Sequence, residues 1–239
     1  MYRETHLRSV AKAISYRVLG SVATGALVLA FTGQLGVAAA VGGLEALAKL
    51  ALYFVHERVW DRLRYGRHIA RPTVIWFTGL SGAGKSTVAK AVAEALSKRG
   101  YKVEQLDGDI IRSLFPTTGF TRPERDAHIR RVGYLASRLE QNGVFVVASL
   151  VSPYEESRRF VRSLCKNFVE VYVSTPLAEC ERRDVKGLYA KARAGTIQNF
   201  TGVSDPYEPP TAPEVTLDTS GESLEQSVQL VMKRLEPNL

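Results

Sequence analysis

The chain has 239 residues and a formal net charge of +8, and 45% of its residues are hydrophobic. This length allows one α/β domain of ordinary size and a smaller module. The two cysteines, Cys165 and Cys180, form no Cys-x-x-Cys pair, which excludes a disulfide framework and a cysteine-based zinc site. Residues 1–70 carry +5 and residues 71–239 carry +3. Neither part shows a basic face with interleaved aromatic residues, so we expect no nucleic-acid partner.

The first part of the chain contains 27 consecutive uncharged positions, from 18 to 44. A membrane-spanning helix needs about 20 largely apolar residues. The sequence therefore predicts a transmembrane hairpin in the lipid bilayer, with spans at 14–31 and 37–55 and a turn at 32–36. Basic residues flank the hairpin on its outer ends only, which places both termini in the cytoplasm. The alternative is a soluble helical hairpin that packs on the second part or dimerises.

The end of this first part reads LEALAKLALYFVHERVWDRLRYG. With that run, residues 7–67 resemble an uncharacterised family of small two-helix bacterial membrane modules, which implies a location in the bacterial cytoplasmic membrane. We interpret Arg58 and Trp60 as anchors at the membrane surface, and a site at His56 and Glu57 is the alternative. Pro72 ends the preceding helix. We therefore expect a membrane module at 1–68 and a second domain at 72–239.

The second part alternates between strand-like and helical patterns. The strand-like runs cover 74–78, 102–107, 144–151 and 168–173, and the helical patterns cover 85–99, 122–141 and 154–166. This alternation predicts an α/β domain in which helices cover both faces of a parallel sheet. Ligands of such a domain bind at the carboxyl ends of the strands.

The stretch VIWFTGLSGAGKST places a glycine-rich turn between the first strand and the first helix. Its Gly-x-x-x-x-Gly-Lys-Ser spacing is that of a P-loop, whose backbone N–H groups face nucleotide phosphates at the positive end of a helix. Lys85 supplies a charge to the phosphates, and the hydroxyl of Ser86 is the expected ligand of Mg²⁺. The sequence thus predicts a P-loop kinase fold that binds ATP with Mg²⁺. The predicted ATP-binding residues are Gly79, Gly82, Ala83, Gly84, Lys85, Ser86 and Thr87.

Two further stretches suit an acceptor of the phosphate. In LDGD, either Asp107 or Asp109 can orient or deprotonate an acceptor hydroxyl, although a simple Asp-Gly turn is the alternative. The stretch TGFTRPERDAHIRRVG combines Phe120 with several arginines. These residues suit the stacking of a base and the binding of an anion, or they form a solvated helix face. The run VSPY exposes Ser152 at the end of the third strand.

Together with EVYVSTPLAECERRDVKGLYAKARAGTIQNFTGVSDPYEPP, these stretches resemble the adenylylsulfate kinase family over about residues 72–236. The resemblance implies transfer of the γ-phosphate of ATP to the 3′-hydroxyl of adenosine 5′-phosphosulfate (APS), a step of sulfate activation and assimilation. The product is 3′-phosphoadenylyl sulfate, and the family suggests a homodimer. The implied catalytic residues are Lys85, Asp107, Asp109, Ser152 and Lys186. The implied acceptor-binding residues are Asp109, Arg112, Phe120, Arg125, His128, Val151, Ser152, Lys186 and Phe200.

The family ties the position of Ser152 to a phosphoserine intermediate. Direct in-line transfer needs only positioning and charge stabilisation, so we expect Ser152 to donate a hydrogen bond to the substrate instead. Residues 181–200 are interpreted as a lid that brings Arg183 and Lys186 to the transferring phosphate.

Ile110 and His128 replace asparagines that are usual in the family, at positions expected to border the acceptor. We expect His128 to be able to make binding pH-dependent. Two alternatives remain open at this point. One is a related P-loop kinase acting on a different nucleotide-linked acceptor, and the other is a membrane scaffold that binds nucleotide without turnover.

Overall fold

The structure is a computed structural model, and it describes residues 2–4, 6–30, 35–63, 67–114 and 119–239 of the chain. The chain divides into two compact units, Met1–Ala70 and Arg71–Leu239.

The first unit contains two long helices, α1 at His6–Ala30 and α2 at Leu35–Arg62. A short strand before them, β1 at Tyr2–Glu4, pairs antiparallel with β2 at Arg67–Ile69. The predicted spans fall on α1 and α2, and residues 32–34 of the predicted turn lie outside the described residues. Within the described ranges, neither these helices nor any other has the length and the hydropathy that a membrane crossing requires.

Polar side chains join α1 to the last turns of α2. The guanidinium of Arg8 donates to the carbonyls of Leu63 at 2.9 Å and Trp60 at 2.5 Å, and it lies 5.1 Å from the centre of the Trp60 ring. Ser15 Oγ lies 2.7 Å from His56 Nε2. Trp60 is only 9% exposed. The Trp60 ring therefore packs between the two helices, and the interpretation of Arg58 and Trp60 as anchors at the membrane surface stays a prediction.

The second unit is built on a five-stranded sheet in the order β4-β5-β3-β6-β7, in which every neighbouring pair is parallel. The strands are β3 at Val74–Gly79, β4 at Val103–Asp107, β5 at Phe145–Ser149, β6 at Phe168–Val173 and β7 at Val215–Leu217. The helices are α3 at Lys85–Lys98, α4 at Gly108–Leu114, α5 at Arg122–Gln141, α6 at Glu155–Leu164, α7 at Leu177–Arg183, α8 at Leu188–Arg193 and α9 at Leu224–Leu235. The predicted α/β architecture is confirmed.

Strand β3 lies at the centre of the sheet, and its residues 74–77 are fully buried. Side chains of a strand alternate between the two faces. Val74 and Trp76 therefore point to one face, where they join the core formed with α5 and with Val161 of α6. Ile75 and Phe77 point to the other face, which α3 and α9 cover.

The strand order places the carboxyl ends of β3, β4 and β5 side by side. In the parallel register, Asp107 at the end of β4 pairs with Ser149 at the end of β5, and Phe77 of β3 pairs with the same Ser149. The chain passes from β3 to the outer strand β4 and returns to β5 between them. A crevice forms where the strand order reverses in this way, and it is the usual ligand site of such sheets.

Candidate active site

The P-loop lies in this crevice, between β3 and α3. Gly82 and Gly84 have φ angles of +75° and +92°, a backbone conformation that favours glycine. Gly79 has a φ of +148°, and a Cβ there would lie 2.5 Å from the carbonyl oxygen of Val173. Gly79 is therefore required by its packing on β6. It is absent from the described residues that line the crevice, and so is the fully buried Ala83.

A cavity of about 320 Å³ opens at this point. The cavity brings together residues that were predicted to bind ATP and residues that were predicted to bind the acceptor. From the predicted nucleotide side it is lined by Gly82, Gly84, Lys85, Ser86 and Thr87. From the predicted acceptor side it is lined by Asp107, Asp109, Arg112, Phe120, Arg125, His128, Val151, Ser152, Lys186 and Phe200. The two sets share one cavity, as direct transfer between two bound substrates requires.

Lys85 is the first residue of α3, and its side chain is only 8% exposed. Its ammonium donates to the carbonyl of Leu80 at 2.7 Å, across the P-loop. Burial lowers the pKa of Lys85 to about 8, because a buried ammonium loses its hydration. The negative phosphates of a bound nucleotide favour the charged form of this group.

Asp107 is held by four donors. One carboxylate oxygen accepts from the backbone N–H groups of Asp109 at 2.9 Å and Ile110 at 3.4 Å, which caps the start of α4. The other accepts from Ser86 Oγ and Ser149 Oγ, both at 3.1 Å. Burial opposes ionisation of Asp107, yet the Asp109 N–H and the two hydroxyls together hold its pKa below its ordinary value.

These oxygens fit a magnesium ion. Mg²⁺ prefers oxygen ligands and is usually held by one or two protein groups together with substrate phosphates. The Ser86 hydroxyl and the Asp107 carboxylate meet beside the P-loop, where phosphates are expected.

The acceptor side is organised by two arginines around an aromatic ring. The guanidinium of Arg112 lies 4.5 Å from the centre of the Phe120 ring, and that of Arg125 lies 5.7 Å from it. Arg125 also donates to Phe120 O at 2.7 Å, to Thr201 Oγ1 at 2.8 Å and to Asn199 O. Arg125 therefore joins the start of α5 to the 199–201 segment in addition to facing the cavity.

His128 lies in the cavity wall and is 1% exposed. Among the described residues, neither ring nitrogen forms a hydrogen bond of good geometry, and the weak contact with the backbone of Gly108 raises the pKa only slightly against the effects that lower it. Burial, followed by the charges of Arg112 and Arg131, lowers the pKa of His128 to about 4. The ring is therefore neutral near pH 7, and the expectation that His128 makes binding pH-dependent stays a prediction.

Ile110 occupies a different environment from the one predicted. Its side chain is 65% exposed, and it does not appear among the described residues that line the cavity. It is the third residue of α4 and points outward there. The departure at this position therefore leaves the shape of the cavity unchanged, whereas the departure at His128 contributes directly to its wall.

Ser152 adopts a φ of +38° and is 1% exposed. Its hydroxyl donates to Thr78 Oγ1 at 2.8 Å and accepts from Trp76 Nε1 at 3.1 Å. Because its only hydrogen is directed at Thr78, the hydroxyl is not oriented to donate to a substrate. The substrate hydrogen bond expected of Ser152 stays a prediction, and in this arrangement the hydroxyl could take part only as an acceptor.

Two further charged side chains come from the end of α7 and the segment after it, since Arg183 is the last residue of α7 and Lys186 lies between α7 and α8. Lys186 forms an ion pair with Asp109, and both side chains are mostly exposed. The expectation that Arg183 reaches the transferring phosphate when the lid closes stays a prediction, and in this structure its guanidinium contacts other groups. It donates to Glu179 at 2.8 Å, to Thr219 Oγ1 at 2.8 Å and to Thr219 O at 2.9 Å. It therefore fastens α7 to the segment after β7.

Sequence reasoning missed two residues that shape this cavity. Ser149 donates to Asp107, and the hydroxyl of Tyr189 donates to the P-loop carbonyl of Ser81 at 2.9 Å. Ser149 is a polar residue at the carboxyl end of a buried strand, and that placement is a signal the sequence does contain. Tyr189 carries no such signal, because its contact joins positions that are 108 apart in the chain.

The P-loop on a parallel sheet, with a lysine and carboxylates in one cavity, defines the class of P-loop kinases. Residues 71–218 match the family described as adenylylsulphate kinase, and residues 10–61 match a family described as predicted membrane protein (DUF2061). The chain belongs to the adenylylsulphate kinase family. The resemblance read from the sequence is confirmed for both parts.

Individual relatives agree with this assignment. An adenylyl-sulfate kinase of Picosynechococcus is 54% identical over 166 residues, which cover 69% of this chain and 94% of that protein. One of Halothermothrix orenii is 53% identical over 163 residues, covering 68% and 88%. The solved structure of the Mycobacterium tuberculosis APS kinase in complex with AMPPNP and APS is 41% identical, with a TM-score of 0.67. That match covers 70% of this chain and 99% of the other.

Proposed function

We propose that the second unit transfers the γ-phosphate of ATP to the 3′-hydroxyl of APS and releases ADP and 3′-phosphoadenylyl sulfate. The observation that supports this most is the single cavity, in which the P-loop residues and the acceptor-side residues lie together. The similarity to a kinase solved with an ATP analogue and APS supports the same substrates.

The residues on the nucleotide side of the cavity neutralise the negative charge of the ATP phosphates. The backbone N–H groups of the P-loop and the N-terminus of α3 receive the phosphates. Lys85 places its ammonium among the β- and γ-phosphates. Ser86 and Asp107 are the residues that would hold Mg²⁺, which supplies positive charge to the phosphate oxygens when bound. In a loose transition state, this charge stabilisation and the alignment of the two substrates account for most of the catalysis.

The residues on the acceptor side of the cavity bind APS and orient its 3′-hydroxyl. Arg112 and Arg125 carry the positive charge that suits the phosphosulfate anion, and the exposed ring of Phe120 offers a stacking surface for a base. Asp107 is assigned to Mg²⁺, and its lowered pKa makes it a poor proton acceptor. Asp109 is therefore the better candidate to orient the acceptor hydroxyl and receive its proton.

In the transfer step the acceptor oxygen forms a bond to the γ-phosphorus, and the bond from that phosphorus to the bridging oxygen of ADP breaks. The hydroxyl proton passes to Asp109. Lys186 pairs with Asp109 in the absence of substrate and has the charge to stabilise the transferring phosphate. The account contains no phosphorylated enzyme.

The test is ADP release by the full-length protein with Mg-ATP and either APS or adenosine 5′-monophosphate, which lacks the sulfate. We expect release with APS, and a loss of about 10²-fold or more in Asp109→Asn. Asp126→Asn is the matched control, because Asp126 is bound to Arg130 and Ser157 outside the cavity. Equal release with both acceptors contradicts APS as the specific substrate.

We also propose that the first unit attaches the chain to the bacterial cytoplasmic membrane, with the kinase unit on the cytoplasmic side. Its match to a predicted membrane protein family supports this. So does a row of exposed apolar side chains on α1, in which Leu7, Val10, Ile14 and Val18 follow helical spacing and are each more than half exposed. Basic residues near the outer ends of the two helices favour contact with anionic lipid headgroups.

Fractionation of cells that express the full chain or residues 71–239 tests the attachment. We expect the full chain in the membrane pellet after a high-salt wash, and the shorter chain in the supernatant. Recovery of the full chain in the supernatant contradicts the proposal.

A further inference from the structure

Ser149 occupies a position that no role described above explains. It is the last residue of β5, it is 7% exposed, and it lines the cavity. The parallel register sets it directly beside Asp107 of β4. A buried hydroxyl at the carboxyl end of a central strand, facing the expected metal ligands, is placed to act on them.

The contacts of Ser149 are directed at one oxygen. Its Oγ donates to Asp107 Oδ2 at 3.1 Å, and Ser86 Oγ donates to the same oxygen at 3.1 Å. The two hydroxyl oxygens are 3.4 Å apart. The other oxygen of Asp107 is fixed by the N–H groups of Asp109 and Ile110.

These contacts give Ser86 and Ser149 different roles. A Ser86 hydroxyl that coordinates Mg²⁺ directs a lone pair at the ion, and its own distance to Asp107 is then set by the metal. Ser149 belongs to strand β5 and is not expected to coordinate the ion. Its hydrogen bond, with the N–H groups of α4 on the opposite oxygen, fixes the plane of the Asp107 carboxylate. Hydrogen-bond partners behind a metal ligand typically orient that ligand.

We propose that Ser149 is a positioning residue that orients Asp107 for the binding of Mg²⁺ together with ATP. This inference rests on the proposed function, since it needs the metal-nucleotide substrate. It assigns Ser149 an effect on metal binding and no direct contact with the reacting atoms.

The test measures how strongly Mg²⁺ and nucleotide support each other's binding. Calorimetry on the full-length protein gives the dissociation constant of the non-hydrolysable ATP analogue AMPPNP with and without Mg²⁺. The ratio of the two constants is the metal coupling. Ser149→Ala removes the hydroxyl, and Ser149→Thr retains it. Ser137→Ala is the matched control, because Ser137 is also buried and donates only to the carbonyl of Tyr134 in α5.

We expect Ser149→Ala to reduce the metal coupling about fivefold, as the loss of one hydrogen bond predicts. Ser149→Thr and Ser137→Ala should stay within about twofold of the original protein. The Mg²⁺ concentration for half-maximal turnover should rise about fivefold in Ser149→Ala, with kcat at saturating Mg²⁺ changed less than about twofold.

Three results overturn the inference. If the metal coupling in Ser149→Ala equals that of the original protein, Ser149 does not position Asp107. This result leaves the proposed metal site unaffected. A loss in Ser149→Thr as large as in Ser149→Ala shows that the hydroxyl is not what matters. A ratio of one in the original protein means that the metal does not assist nucleotide binding, and this result contradicts the proposed metal site as well. Melting temperatures of the ligand-free variants identify any general loss of stability.

Discussion

The hydroxyl of Ser152 donates a hydrogen bond to Thr78 Oγ1, 2.8 Å away, and the Trp76 indole donates to the same hydroxyl at 3.1 Å. Both partners belong to the buried strand β3. The hydroxyl of Ser152 is thus bonded to core residues, although Ser152 is one of the residues that line the cavity.

We therefore expect Ser152→Ala to keep turnover within about tenfold of the original protein. Its free energy of unfolding should fall by about 1–3 kcal/mol, because the Trp76 N–H loses its buried acceptor. Initial rates and denaturant unfolding measure the two effects. Complete loss of turnover with normal APS binding would favour a phosphoserine intermediate and contradict the mechanism above.

Lys85 carries the main protein charge on the nucleotide side. Lys85→Ala should lower kcat/KM for ATP by about 10²–10³-fold or more, since a positioned charge that stabilises the transferring group is worth at least that much. Lys90→Ala is the control on the same helix, where the side chain is exposed. Steady-state kinetics with both variants measures the difference. Undiminished turnover in Lys85→Ala would remove the assignment of the ATP site.

The pKa of about 8 for Lys85 in the ligand-free protein predicts a pH dependence. Above pH 8 the free enzyme loses the ammonium, so kcat/KM for ATP should fall about tenfold per pH unit. An unfolded lysine keeps its proton up to about pH 10.4. Between pH 8 and that value the unfolded chain therefore binds more protons at this position, and the contribution of Lys85 to the free energy of unfolding rises with pH. A flat kcat/KM profile from pH 7 to 9.5 contradicts this assignment.

His128 should respond to acid rather than to pH changes near neutrality. Its pKa is lowered to about 4 in the folded protein, whereas an unfolded histidine titrates near 6.5. As the pH falls from 6.5 to 4, the unfolded chain gains a proton here before the folded chain does, and the folded state loses stability by at most about 3 kcal/mol.

His128→Asn cannot take up this proton. The difference in free energy of unfolding between the original protein and His128→Asn should therefore shift against the original protein over that window and stay constant above pH 7. Denaturant unfolding at several pH values measures it. A constant difference from pH 7 down to pH 4 contradicts the buried, neutral imidazole.

The sequence was sufficient for the parts of the second unit that depend on local pattern. The P-loop spacing, the LDGD run after a strand and the alternation of elements predicted the α/β fold, and the residues they indicated, apart from Gly79 and Ala83, line one cavity. Strand β7 was missed, because three residues after a proline-rich segment carry no measurable period. The helices α4, α7 and α8 were not predicted for a related reason, since they span only seven, seven and six residues, whereas α9, with twelve residues, was long enough to be predicted and was missed.

The sequence did not predict which groups the polar side chains contact. Whether Ser152 faces substrate or core depends on Trp76 and Thr78, which are more than 70 positions away. Arg183 was expected at the phosphate because of its charge, and in this structure Thr219 binds it. The partners of such side chains depend on which distant residues the fold brings close to them.

The most direct test of the account is the identity of the product. Full-length protein would be incubated with Mg-ATP and APS, and the products would be identified by mass spectrometry and phosphorus NMR. The account predicts one ADP released for each 3′-phosphoadenylyl sulfate formed, with the new phosphate on the 3′-oxygen. ADP release without phosphorylated APS, or a phosphate on any other atom, would contradict it.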